Sequence, residues 1–396
     1  MFKSSGLLLK GIKLSLFIIP MFMFTACSDD PSSLGSDLNQ NNSVKVSNLD
    51  TSKDTIIQVS GSFKKVLPLG SSDRLLLGRT NNLEATTLIK FALSLSDTYK
   101  ADLDSIEVIE AKVYLTNSYI YGDSNGVFDF SAHKVTYDWG YSTFSYDSIA
   151  KLTYDATDVS SDKSITDTLM SFKLEQSLVK SWLKDEKDNA SATTFGIFLK
   201  PSVNTSKVYG FWGYSASLSQ SIQPYITLIL KKGTAYTDTV TYYTLQDIHL
   251  VGGDINALPN QFLQVQSGIT SNAKIFFDLS KLPSDAIINY AALTVTMDKD
   301  VSKLGSGYSE GIYAYFASDT VKMEYDTPLL LERSDNKFSG NIASLLNKML
   351  NQKTNKGLVL TTRRPLEGLE MYAIYGSAAA VDSLRPRLNL IYSHRK

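Results

Sequence analysis

Ile109-Glu110-Ala111-Lys112-Val113-Tyr114-Leu115 decides how the chain folds. Ala111, Val113 and Leu115 alternate with Lys112, Tyr114 and Thr116, the period of two that turns one face of a strand to a core and the other to solvent. The stretch returns 180 residues later as Asn289-Tyr290-Ala291-Ala292-Leu293-Thr294-Val295. Five further blocks recur in the same order. Asp54-Thr55-Ile56 returns as Asp238-Thr239-Val240, and Leu88-Ile89-Lys90-Phe91-Ala92-Leu93 as Lys274-Ile275-Phe276-Phe277-Asp278-Leu279. Phe195-Gly196-Ile197-Phe198-Leu199 matches Lys356-Gly357-Leu358-Val359-Leu360, and Phe211-Trp212-Gly213-Tyr214 matches Tyr372-Ala373-Ile374-Tyr375. Pro224-Tyr225-Ile226-Thr227-Leu228 closes the series against Pro386-Arg387-Leu388-Asn389-Leu390. The offset ranges between 186 and 161 residues, as changes in loop length would produce. One such match is weak; six in order define two copies of one domain, 53–232 and 238–396.

Most blocks are strand-like. One segment per copy breaks the pattern: Leu174, Leu178 and Trp182 within 173–184, and Ile342, Leu345, Leu346 and Met349 within 342–350, follow helical spacing. Without further helices to make parallel crossovers, the sheets must be antiparallel. The expected fold is all-β: two tandem antiparallel β-sandwich domains, jelly-roll-like, each with one short helix.

The N-terminus reads as an export signal. Lys3, Lys10 and Lys13 precede an apolar run from Leu14 to Phe24, and Phe24-Thr25-Ala26-Cys27 then places the chain's one cysteine after small or polar residues. Eleven helical residues rise only about 16 Å, roughly half a bilayer core, so a membrane span is excluded. A single cysteine forms no internal disulfide. Residues 1–26 are therefore expected to be a lipoprotein signal peptide, Cys27 the lipidated residue, and the polar, turn-rich stretch 27–52 a flexible tether.

Two resemblances extend this reading. Cys27 to Leu38, with Asp29 and Asp30 just after the cysteine, resembles the start of a family of Bacteroidota surface lipoproteins, which implies a lipid-anchored, surface-exposed place at the outer membrane. The helical segment followed by Phe195-Gly196-Ile197-Phe198-Leu199 resembles the closing part of DNRLRE-type jelly-roll domains of secreted carbohydrate-binding proteins. Leu88 to Leu93 followed by Ala111 to Leu115 resembles that family's core strand pair, and Val135-Thr136-Tyr137-Asp138-Trp139 its Trp-bearing segment. The acidic residue that the family places after this Trp is missing here, and the second copy has Val321-Lys322-Met323-Glu324-Tyr325 with no Trp. The resemblance implies a jelly-roll fold and carbohydrate as the ligand class.

Chemistry-bearing motifs are few. Lys+Arg (39) cancels Asp+Glu (40), leaving no basic field for nucleic acid. His133 and His249 lie in strand-like alternations, His394 lies near the end of the sequence, and no hydrolase or phosphate-loop motif occurs. No enzyme activity and no cofactor are expected. Gly122-Asp123-Ser124-Asn125-Gly126 with Asp129 offers Asp123, Asn125 and Asp129 as calcium ligands, but without the downstream bidentate acid, so an ordinary turn is expected. Asp147, Asp155 and Asp158 are read as solvated turn residues. Among the aromatics, Trp139, Trp182 and Trp212 are assigned to packing, and Tyr119, Tyr121 and Tyr141 are kept as ligand contacts, because flat rings suit the C–H faces of sugars. The expected function is non-catalytic binding of polysaccharide by a lipid-anchored envelope protein. A structural or assembly lipoprotein that binds another envelope protein is the alternative, and a glycan-active hydrolase the third.

Overall fold

The computed structural model describes residues 43–65, 72–80, 82–123, 125–140, 144, 146–188, 194–253, 257–307, 309–317 and 327–395. The lipobox with Cys27, residues 27–42 of the expected tether and Tyr141 lie outside them; the rest of that tether is not free chain, because residues 44–50 form a strand paired into a sheet. Residues 45–394 form one compact unit. In chain order the strands are β1 (Val44–Asp50), β2 (Gln58–Lys64), β3 (Arg74–Thr80), β4 (Leu83–Phe91), β5 (Glu107–Gly122), β6 (Phe130–Lys134) and β7 (Ser160–Ile165). Next come β8 (Leu169–Leu174), β9 (Ile197–Pro201), β10 (Lys207–Trp212), β11 (Tyr225–Lys232), β12 (Tyr236–Gly253), β13 (Phe262–Gln266) and β14 (Ser271–Phe277). β15 (Ile287–Lys303), β16 (Gly311–Phe316), β17 (Leu329–Ser334), β18 (Lys337–Asn341), β19 (Leu358–Thr362), β20 (Met371–Tyr375) and β21 (Arg387–Arg395) complete the series. The protein is all-β and antiparallel. In the first sheet β5 pairs with β10 and closes the circuit β10-β3-β4-β12-β11-β5; in the second, β15 pairs with β20 and closes β15-β18-β17-β16-β19-β14-β13-β20.

Among the described residues three helices accompany them: α1 (Asp97–Asp102), α2 (Gln176–Asp188) and α3 (Ala343–Asn351). α1 is one helix more than the repeat predicts; Ser96 starts it, its hydroxyl accepting from the Tyr99 amide at 3.3 Å. α2 starts later than the spacing suggests, because Lys173 and Leu174 belong to β8, where the Lys173 ammonium bonds Glu110 and Asp162 across the sheet. α2 buries Leu178, Val179, Trp182 and Leu183 in the core of the first sheet, and α3 buries Leu345, Leu346 and Met349 in that of the second.

The sheets do not follow the boundaries 53–232 and 238–396. β2 pairs with β14, and β1 with β21, so residues 44–64 complete the second sheet. β12 pairs with β11 and β4, so residues 236–253 complete the first. Each copy thus gives its leading strand to the other copy's sheet. The registers correspond: Leu88 faces Ile248 across β4 and β12, and Lys274 faces Gly61 across β14 and β2. Chain geometry permits the exchange, because the entropic cost of closing a loop grows only slowly with its length.

One glycine is required twice. Gly196 and Gly357 occupy matched positions with φ of 77° and 87°, and a Cβ there would lie 2.0 Å from the Ile89 carbonyl oxygen and 2.8 Å from that of Ile275. Only glycine allows both the left-handed backbone and the close approach.

Candidate functional site

Tyr119 and Tyr121 do not form a ligand platform. They are 2% and 7% exposed, packed with Leu76, Val208, Ile269 and Leu369 where the two sheets meet. β5 runs on past its own core here, and the loops after β15 and before β20 close over it: Ser306 donates its amide to the Ile120 carbonyl at 2.8 Å, and the Tyr119 hydroxyl accepts from the Leu369 amide at 2.9 Å. Burial raises the ionisation of both phenols, well above the ordinary range for Tyr119.

The same junction holds a buried guanidinium. Arg74 (4% exposed) donates to the Glu367 carbonyl and to the Ser118 hydroxyl at 3.1 Å, and its planar head lies 4.9 Å from the Tyr119 ring and 5.7 Å from that of Trp212. Glu370 sits beside it, its carboxyl raised above the usual range chiefly by burial, with Oε1 lacking a partner. His249, fully buried, is pushed down to about 4 by desolvation; the Arg74 and Leu366 backbones approach the ring and partly offset this, but neither ring nitrogen has a partner of good geometry. Two residues earlier on β12, Asp247 accepts from the Tyr214 amide at 2.7 Å and is pushed up to about 7 by burial. Arg74 and the Tyr119 hydroxyl join the two sheets through the Glu367 carbonyl and the Leu369 amide, with the polar groups around them enclosed.

The other sequence candidates resolve individually. The Asp123 carboxylate accepts from the Asn125 amide at 2.9 Å, closing its own turn, and the Asp129 carboxylate lies 3.5 Å from the Lys163 ammonium. The three residues are thus engaged in local structure, and among the described residues no group of three or more His, Cys, Asp or Glu side chains gathers. Asp158 fastens a turn by accepting from the Ala132 and Ser160 amides. His133 is structural, bonded to the Ser131 hydroxyl at 2.7 Å and to backbone carbonyls of Asp155 and Thr157. Trp139 is core, 2% exposed, its indole N–H donating to the Phe195 carbonyl at 2.9 Å.

A different aromatic group faces outward. Tyr114 on β5 lies opposite Tyr225 on β11, which lies opposite Tyr243 on β12. The intervening residues Val113 and Ile226 are buried, so all three rings stand on the other face, where each is partly exposed. Tyr114 and Tyr225 stack at 4.9 Å and 16°; Tyr243 is inclined 50° to Tyr225 at 6.1 Å, which interrupts the stack. Lys112, Thr227 and Thr241 form the next row, with the Lys112 ammonium 5.3 Å from the Tyr114 ring centre, and Ser171 extends the tyrosine row beyond Tyr114. Desolvation, then the neighbouring phenols, raises the Tyr225 ionisation. In the second sheet Thr294 and Arg387 hold the positions that match Tyr114 and Tyr225, with Thr294 bonded to Ser339 at 3.0 Å, so the stacked pair belongs to the first sheet. Sequence inspection missed the row because Tyr114 lies over 100 residues from the hairpin that carries Tyr225 and Tyr243; only the alternation around Tyr114 signalled an outward ring.

No family model, curated protein or solved structure matches the chain.

Proposed function

We propose that the protein is a non-catalytic, lipid-anchored envelope protein that recognises polysaccharide at the outer membrane surface, built from two versions of a jelly-roll-like sandwich similar to the DNRLRE type. The outward row Tyr114, Tyr225 and Tyr243 carries this reading. Ring surface interrupted by hydroxyls, a threonine row and an ammonium is the mixture that suits a sugar chain, whose faces are apolar and whose rim is polar. Lipidation of Cys27 and export through the signal 1–26 place the tyrosines at the end of a tether. Pull-down on insoluble polysaccharides and glycan arrays test the proposal. Tyr225→Ala removes the central ring and should weaken binding by tenfold or more without changing the unfolding midpoint. Wild-type protein that binds no glycan refutes the reading.

A second reading, an assembly lipoprotein docking another envelope protein, is favoured by Tyr290 and Ile391, which face each other across β15 and β21 at 45% and 40% exposure. Co-purification of a stoichiometric partner from membranes, lost in Tyr290→Ser, would establish it.

A further inference from the structure

The outer face of the second sheet is apolar at one end, where the matching end of the first sheet is charged. Tyr290 on β15 lies opposite Ile391 on β21, and Ile287 lies opposite Ser393. The register shifts between Ile288 and Tyr290, so Ile287 and Tyr290 both turn outward while Ile288 and Ala291 stay in the core. β1 lies beside β21, and Val46 is turned away from the core that takes Leu49. Val46 and Ile287 are 65% and 62% exposed, more than Tyr290 and Ile391. Single exposed apolar side chains are ordinary, but four on three adjacent strands mark a surface that meets something.

The first sheet shows that the fold does not demand this patch. Its matching rows are Glu110 opposite Ile229, and Glu107 opposite Lys231, which in turn faces Thr237 on β12. A register shift falls at the same place, next to Ile229. The Glu110 carboxylate pairs with the Lys173 ammonium at 3.0 Å, and Glu107, Lys231 and Thr237 are exposed. The surface is thus open in both sheets, and Tyr290 and Ile287 stand in one where glutamates stand in the other.

The path of the chain indicates the occupant. Residue 43 leads straight into β1, so the sequence from Cys27 enters the molecule at the strand that carries Val46. Residues 27–42 are polar, with Leu34 and Leu38 as their aliphatic side chains, and offer little apolar surface to match the patch. Their length allows a reach of at most about 58 Å, at about 3.6 Å per residue. A lipid on Cys27 therefore holds the start of β1 within that distance of a bilayer, at an effective concentration on the order of millimolar. A contact too weak to hold a free protein then suffices. Tyrosine suits the headgroup layer, its ring towards the acyl chains and its hydroxyl in water, and Val46, Ile287 and Ile391 add apolar surface around it.

We propose that Val46, Ile287, Tyr290 and Ile391 rest on the surface of the bilayer that holds Cys27, so that the second sheet is the membrane-facing one. The inference rests on the lipid-anchored reading, and it competes with an envelope protein for Tyr290 and Ile391. The test places the lipidated full chain, carrying Tyr290→Trp, in phosphatidylcholine vesicles with and without bromine on the acyl chains. Quenching is read against the same chain without the substitution, whose Trp139, Trp182 and Trp212 set the baseline. Brominated lipid should quench the introduced indole, and salt should not reverse this, because an apolar contact is not screened. Ile287→Glu, which copies Glu107, should abolish the quenching at an unchanged urea midpoint; Ile391→Glu serves the same purpose should the first variant lower the midpoint. An indole that stays unquenched in a vesicle-held chain, or is quenched equally with either glutamate present, overturns the proposal and leaves the anchor in place. A stoichiometric protein that co-purifies from membranes and is lost in Ile287→Glu, with no quenching by lipid, assigns the patch to that protein instead. A chain that vesicles do not hold at all removes the lipid-anchored reading as well.

Discussion

Cutting the chain where the repeat divides it should destroy the first sheet, whereas cutting where the strands divide it should not. A fragment of residues 53–232 lacks β12 and carries β2, whose partner β14 is gone; residues 72–253 contain every strand of the first sheet. β12 buries Tyr242, Ile248, Leu250 and Val251 to 8% exposure or less. Burial of each such side chain contributes about 1.5–3 kcal/mol, so the strand supplies on the order of 10 kcal/mol, even before its ladder to β4 and β11 is counted. Whole domains are stable by only about 5–15 kcal/mol, so loss of β12 removes most or all of the margin. All three tryptophans, Trp139, Trp182 and Trp212, lie within both fragments, so one fluorescence signal reports both. Urea titration should show a cooperative transition for 72–253 and none for 53–232. If 53–232 unfolded cooperatively at the same urea midpoint as 72–253, β12 would not be integral to the first sheet and the exchange argued here would be wrong.

Other variants probe the junction, the buried acid and the anchor. Arg74→Ala removes a buried cation bonded to Glu367 and Ser118 and should lower stability by about 3 kcal/mol, measured by urea unfolding; Arg74→Lys should recover less than half, because an ammonium lacks the planar fork. Asp247, raised from 3.8 to about 7 by burial, binds its proton more tightly folded than unfolded, so its contribution to stability falls as pH rises from about 4 to about 7. His249, lowered from 6.5 to about 4, does the opposite: its contribution is lost as pH falls through that window. The two slopes oppose each other in the native protein between about pH 4 and 6.5. Asp247→Asn should therefore expose the His249 slope and exceed wild type by a few kcal/mol at pH 8, at about 1.4 kcal/mol per pKa unit, with urea midpoints from pH 4 to 8 as the readout. Cys27→Ser should abolish incorporation of radiolabelled palmitate and leave the unfolding midpoint unchanged; continued incorporation would refute lipidation at Cys27.

Local features of the fold were legible, and non-local ones were not. The alternation around Val113 and Tyr114 sets the inner and outer faces of β5 because period two is a property of the strand alone. The spacing of Leu178 and Trp182 marks α2 for the same reason. The exchange of β1, β2 and β12 leaves no such mark, since the pattern of a strand says which side is buried and not which neighbour it pairs with. Tyr119 and Tyr121 were misread for a related cause: they directly precede the Gly122-Asp123 turn, and the loops that bury them come from residues 304–307 and 365–370, over 180 residues away. The row Tyr114-Tyr225-Tyr243 required knowing that β5, β11 and β12 are adjacent.

The exchange also dictates the order in which the molecule can be made. A chain emerging from its N-terminus presents β1 and β2 first, yet β2 finds β14 only after some 200 further residues and β1 finds β21 only at the last strand. The first sheet in turn waits for β12. The second sheet is not finished until the last strand has been synthesised and exported, and its pairings of β1 and β2 span large sequence separations, which slows folding. Export thus has to keep β1 unpaired until the final residues arrive, and a chain truncated before β21 leaves β1 without a partner and opens the edge of β15 that β21 covers. Such an edge would identify incomplete molecules to any protease or chaperone that surveys the envelope.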